Sequence, residues 1–192
     1  MDLNAFYDSE FDEHKAVIDA SRDVLMEPFS HLIGVCADAV RGGNKLVLFG
    51  NGGSAGDCQH IATELAVRYI TDRAPIAAIA LTTDSSMLTA IANDWSFDEL
   101  FARQIEALCT KGDVAIAIST SGKSENIIRG LTQAKKMGVV PVGFSGKGGG
   151  RMVGLCDPLL LVPSDITARI QEMHITLGHM LCGALEQELG LI

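Results

Sequence analysis

Five short apolar runs constrain this chain more than any other feature. They lie at 45–49, 76–81, 113–118, 139–144 and 158–162, are rich in Val, Ile, Leu and Ala, and show little alternation with polar residues. A strand with one wet face alternates. A run that does not is covered on both faces, as in a parallel sheet between helices. Longer runs with helical spacing intervene at 54–70, 85–92, 97–109 and 124–137, and a last one covers about 167–189. This order predicts a doubly wound, three-layer α/β sandwich around a five-stranded parallel sheet. Ligands of such folds sit beyond the carboxyl ends of the strands.

Ahead of the first strand, residues 2–26 read as a polar-rich helix. Phe6, Phe11, Val17, Ile18, Val24 and Leu25 give it an apolar stripe. Pro28 suits the first turn of a second helix, which Gly42-Gly43 stops after Arg41. The expected organisation is one domain, 1–192, with N-terminal helices over 1–41 added to a 45–192 core. At 192 residues and 47% hydrophobic the chain can bury a sizeable core, and it holds no repeat or linker.

A net charge of −9 argues against a nucleic-acid or anionic-membrane surface. No apolar run approaches the roughly 18 residues of a membrane span, and Met1-Asp2-Leu3-Asn4 opens no signal core. The five cysteines are scattered and never paired as CxxC, which predicts reduced, buried thiols and a cytoplasmic protein. Only Cys58 lies near a motif.

Two glycine-serine turns each follow a strand and open a helix. The first is Gly50-Asn51-Gly52-Gly53-Ser54. It lacks the third glycine of a dinucleotide fingerprint, and Ser54 is expected to cap the helix. The second is Ser119-Thr120-Ser121-Gly122-Lys123-Ser124. Its hydroxyls, turn N–H groups and helix N-terminus suit a phosphomonoester. It does not match the nucleotide-binding pattern GxxxxGK[ST]. Its plain structural reading is a turn with Ser124 as the cap. Asn93-Asp94 is expected in a loop at the same end of the sheet.

His60 and Glu64 are four residues apart and share one helix face. Gln171 and His179 are eight apart on the last helix, about 80° apart in azimuth and about 12 Å along the axis. Together the four could ligate one divalent ion, with zinc the best match and nickel or manganese open. They could equally move protons with no metal. Solvated surface pairs are the plain reading. His174 reads as structural, and His14 and His31 as surface or packing residues.

The ordered set of these motifs resembles the sugar isomerase (SIS) domain family, and within it the phosphoheptose isomerases. The resemblance rests on Gly50 to Ser54, Gln59-His60 with Glu64, Ala92-Asn93-Asp94, Phe101 to Gln104, Ile118 to Gly122 with Ser124, Arg169 to Glu172, and His179. It implies a flavodoxin-like SIS domain that converts sedoheptulose 7-phosphate to D-glycero-D-manno-heptose 7-phosphate, the first step toward bacterial ADP- or GDP-heptose for lipopolysaccharide or capsule. It implies that Ser119, Thr120, Ser121 and Ser124 hold the phosphate, and that Asn51, Gly52, Gly53, Asn93 and Asp94 bind the sugar. His60, Glu64, Gln171 and His179 would hold one zinc per subunit, with Glu64 and Gln171 also on the substrate. A homotetramer with sites between subunits is implied too. Some members carry an acidic residue where this chain has Ala168.

The chemistry expected is aldose–ketose isomerisation through an enediol, with Glu64 as base and His179 as acid. A carboxylate held on a cation is a poorer base, so the share carried by each stays open. Two other readings compete: a non-catalytic SIS adaptor that binds the replication initiator, and an isomerase for another sugar phosphate. The adaptor type lacks the Glu64 and His179 equivalents.

Overall fold

The computed structural model describes residues 1–192. Five strands, β1 (Leu46–Gly50), β2 (Ala78–Ala80), β3 (Val114–Ser119), β4 (Val140–Ser145) and β5 (Leu159–Leu161), form one sheet in the order β2-β1-β3-β4-β5. Every pairing is parallel. This is the doubly wound order, with its reversal between β1 and β3.

The helices are α1 (Leu3–Arg41), α2 (Gly53–Ala66), α3 (Ser85–Asp94), α4 (Leu100–Leu108), α5 (Glu125–Met137) and α6 (Thr167–Glu188). α1, α2 and α6 pack on one face of the sheet, where Leu46, Leu48, Ile116 and Ile118 point. α3, α4 and α5 cover the other face, where Val47, Phe49, Ala115 and Ala117 point. The central strands are apolar from Leu46 to Phe49 and from Val114 to Ile118 because both faces are dry.

Three expectations about the elements change. α1 is one continuous helix of 39 residues with Pro28 inside it, not two helices. Proline removes the bond to the carbonyl of Val24, but Val24 is exposed and water can take its place. Leu25 on one side and Leu32 and Cys36 on the other bury in the same core and hold the helix in line. The stripe before Pro28 is mostly solvent-facing in the single chain: Phe6 and Phe11 are exposed and only Leu25 is buried. Finally, Ser54 does not cap α2. Gly52 occupies the cap position with φ 57°, and Ser54 is buried one step inside the helix.

His174 on α6 is fully buried, as a structural histidine should be. Its Nε2 lies 3.3 Å from the Ser145 carbonyl oxygen, which fixes that nitrogen as the donor. Burial holds its imidazole down at about 4. Below about pH 6.5 the unfolded chain takes up a proton here that the folded chain refuses. Stability from this residue is intact above pH 6.5 and is lost as pH falls toward 4, by about 3 kcal/mol at most. We expect melting temperatures to fall more steeply over this window in the wild type than in His174→Gln. Parallel pH profiles would assign acid lability elsewhere.

Candidate active site

β1 ends at Gly50, where a Cβ would stand 2.9 Å from the Ile118 carbonyl oxygen, so the chain enters the first turn tightly against β3. The second turn leaves β3 at Ser119. The Ser119 hydroxyl accepts the Gly122 N–H at 3.2 Å, and the Ser121 hydroxyl accepts the Lys123 N–H at 3.3 Å. Each keeps its own O–H to donate. Ser124 occupies the cap position of α5, yet its side chain makes no capping bond. Ser124 therefore takes the cap position that the plain reading gave it, but without a side-chain bond, which leaves its hydroxyl available. Thr120 is half-buried beside it.

Two supports of this turn were not read from the sequence. After β4, Lys147, Gly148, Gly149 and Gly150 all take positive φ, and the Arg151 N–H donates to the Gly122 carbonyl at 2.9 Å. Arg151 also bonds Glu125, as does Arg129. Those bonds hold the Glu125 carboxyl below its usual range and offset its charge in the first turn of α5, next to the serine turn. The glycine run in the sequence was the available signal. The second support is Asn126, buried in the first turn of α5. Its amide and that of Asn51 exchange two hydrogen bonds, each 2.9 Å, and so tie the two turns together. Nothing in the sequence marked it.

The chemical groups do converge. His60 Nε2 lies 3.1 Å from Glu64 Oε1 and 3.0 Å from His179 Nε2, and His179 Nε2 lies 3.7 Å from Glu64 Oε1. α2 supplies the first two by their i, i+4 spacing, and α6 supplies the third by lying against α2. Gly178 allows that approach, since its Cβ would collide with Ile61. Glu64 Oε2 is buried with no hydrogen-bond partner. Tyr69 stacks on His179 with ring centroids 5.8 Å apart. Two imidazole nitrogens and a carboxylate oxygen within 4.8 Å of one another, with a buried oxygen unsatisfied, fit a zinc ion.

The remaining predicted residues fall as follows. The Gln171 amide lies over the first turn: a Cβ at Gly53 would be 2.9 Å from its Nε2. Asn93 and Asp94 are in the last turn of α3, not in a loop, and are exposed, with Asn93 Nδ2 donating to Asp94 Oδ1 at 2.8 Å. A cleft lined by Asp94, Trp95, Ser96 and Arg103 opens there, and none of the trio lines it. Arg68 pairs with Asp72. All five cysteines are free and buried. Burial and the neighbouring Asp57 charge push the Cys58 thiol up, the opposite of an activated nucleophile.

A family model described as the SIS domain matches residues 11–146. A phosphoheptose isomerase of Paramagnetospirillum magneticum is 53% identical over 97% of this chain and 97% of its own length. One from Aquifex aeolicus is 54% identical over 80% of this chain and 81% of its own. Among solved structures, the phosphoheptose isomerase of Neisseria gonorrhoeae superposes with a TM-score of 0.90 at 37% identity, covering 96% of this chain and 99% of that one. That of Francisella tularensis gives 0.94 at 30% identity, covering 97% and 100%. With the fold, both turns and the His–Glu–His cluster in place, the chain belongs to the SIS domain family, in its phosphoheptose isomerase branch.

Proposed function

We propose that this chain interconverts sedoheptulose 7-phosphate and D-glycero-D-manno-heptose 7-phosphate, an early step in making bacterial heptose. The observation that carries the reading is the meeting of His60, Glu64 and His179 in a chain so similar to phosphoheptose isomerases along its whole length. An adaptor protein would have no use for that cluster.

Ser119, Thr120, Ser121 and Ser124 take the phosphate, through hydroxyls and helix N–H groups rather than net charge. Asn51, Gly52, Gly53, Asn93 and Asp94 meet the sugar hydroxyls. Glu64 removes a proton from carbon 1 of the ketose while the oxygen on carbon 2 gains one, which gives the enediol. The hydroxyl on carbon 1 then loses its proton while carbon 2 receives the one Glu64 holds. His179 moves the protons at the two oxygens. His60, Glu64 and His179 would hold one zinc ion, with Gln171, whose amide lies over Gly53 in the single chain, as the candidate fourth donor; the ion would supply carbonyl polarisation and orientation.

The test is NMR of purified protein with sedoheptulose 7-phosphate, with and without a chelator. We expect conversion to the aldose, lost on chelation and restored by zinc. No conversion by zinc-loaded protein would end the reading.

No helix is long and apolar enough to cross a membrane. Five free thiols fit a reducing cytoplasm. We also infer a homotetramer with its sites at subunit interfaces. In the single chain the His60 side chain is 51% exposed, too open for chemistry that must exclude water. Leu3, Phe6, Tyr7 and Phe11 leave large apolar surface on α1. Sedimentation should give several times the 20.4 kDa chain mass, and a smaller species for Phe6→Asp/Phe11→Asp. A monomeric wild type would refute the assembly.

A further inference from the structure

The segment between α2 and β2 carries Arg73, whose side chain is 0% exposed, and its partner Glu186 on α6 is 1% exposed. Stripping water from two charges is costly, and well-packed apolar residues often serve stability as well or better. The hydrogen bonds indicate what this pair does instead. Arg73 Nε donates to Glu186 Oε1 at 2.8 Å. One terminal nitrogen donates to the Glu64 carbonyl at 2.8 Å, and the other to the carbonyls of Leu65 at 2.7 Å and Ala74 at 3.0 Å. Glu64 and Leu65 lie in the last turn of α2, where carbonyls have no partner within the helix. The guanidinium therefore caps α2 at the residue whose carboxylate belongs to the His–Glu–His cluster.

Glu186 works on the other ligand. It follows His179 by two turns of α6 and so lies on the same face. Its Oε1 also accepts the Tyr69 N–H at 3.2 Å, and the Tyr69 ring stacks on His179. One buried node thus touches the backbone of Glu64 and the residue that backs the ring of His179.

We propose that Arg73 and Glu186 are positioning residues that hold Glu64 and His179 at ligating distance, so that the pair sets the affinity of the site for its metal. The proposal rests on the zinc reading of the cluster. Neither residue touches the ion or the substrate. Arginine is required because its planar fork reaches the carboxylate and the carbonyls together, whereas a lysine tip cannot span them.

The experiment is zinc titration of the chelator-stripped full chain by competition with a chromophoric chelator, alongside its metal-free melting temperature. Arg73→Met/Glu186→Leu replaces both charges with apolar volume, and Arg73→Lys keeps the charge but loses the fork. Both variants should lose roughly 10- to 100-fold in zinc affinity, the usual cost of removing an outer partner of a metal ligand. kcat should fall, and KM for the sugar phosphate should hold. A merely structural pair predicts that the variants keep the wild-type zinc affinity, whatever happens to their metal-free melt, and that result overturns the proposal. If the double variant does not fold, Arg73→Lys decides by the same comparison. A wild type that takes up no zinc ends the metal reading and this proposal with it, whereas equal affinity in wild type and variants overturns the positioning role alone.

Discussion

Glu64→Gln is expected to remove nearly all turnover while the sugar phosphate still binds. The two side chains match in size, and the amide oxygen can keep the place of Oε1 beside His60, 3.1 Å away. The amide cannot take up a proton from carbon, and a positioned base contributes about 10²- to 10⁴-fold to a rate. The loss should therefore appear in kcat, with KM nearly constant, because the proposed phosphate contacts lie on the serine turn after β3, away from Glu64. Zinc content must be measured in the same samples, since Glu64 has two candidate roles. Inactive protein that still carries zinc assigns Glu64 as the base. Inactive protein that has lost zinc and recovers in excess metal assigns its carboxylate mainly to holding the ion, and passes the proton traffic to His179. Wild-type rates would remove Glu64 from the chemistry altogether.

What could be read from the sequence divides by range. Strand runs such as 113–118 carry their burial on both faces in composition alone, and β3 forms within one residue of that range. His60 and Glu64 were legible because one helix repeat sets their geometry. His179 joins them through packing of α6 on α2, which depends on Gly178 and Ile61 and on no local spacing. The gap between Gln171 and His179 persists within the single chain, where the contacts bring together His60, Glu64 and His179 and leave the Gln171 amide over Gly53. One helix spans the site, with the Gln171 amide at the mouth of α2 and His179 farther along it.

The failures are also physical. Pro28 reads as a boundary locally, yet burial on both sides of it outweighs the single bond it removes. Ser54 has the composition of a cap, but positive φ at Gly52 moves the helix start past it. Asn126, Arg73 and Glu186 were invisible for a shared reason. Their partners are 75, 113 and more residues distant or are backbone carbonyls, and a polar residue in a sequence does not announce that it is buried. Such residues support the site from behind, whereas the ligand-facing residues sit in motifs of their own.

Gly122→Ala should be the most damaging change to the proposed phosphate half of the site. Gly122 has φ 61°, and an L-residue in that region costs about 1–2 kcal/mol. The added Cβ would also run into the carbonyl oxygen of Gly149, which belongs to backbone rather than to a movable side-chain tip. Gly149 cannot retreat cheaply, because Gly148 and Gly150 are themselves left-handed and the Arg151 N–H is bonded to the Gly122 carbonyl. Either the serine turn or the glycine turn must shift, and both shifts disturb the hydroxyls at Ser119, Ser121 and Ser124. We expect a loss of roughly 3 kcal/mol, or about 5–10 °C in melting temperature for a chain of this length. KM for the sugar phosphate should rise at least about tenfold, which corresponds to about 1.4 kcal/mol of binding. kcat should change less, since the His–Glu–His cluster stands on α2 and α6. Gly148→Ala is the control: its φ is 76°, but nothing lies within 4 Å of the added Cβ. It carries the backbone strain without the collision, so its KM should stay near the wild-type value. If the two alanine variants behave alike in both melt and KM, the close packing of the glycine turn against the serine turn is not what shapes the phosphate site.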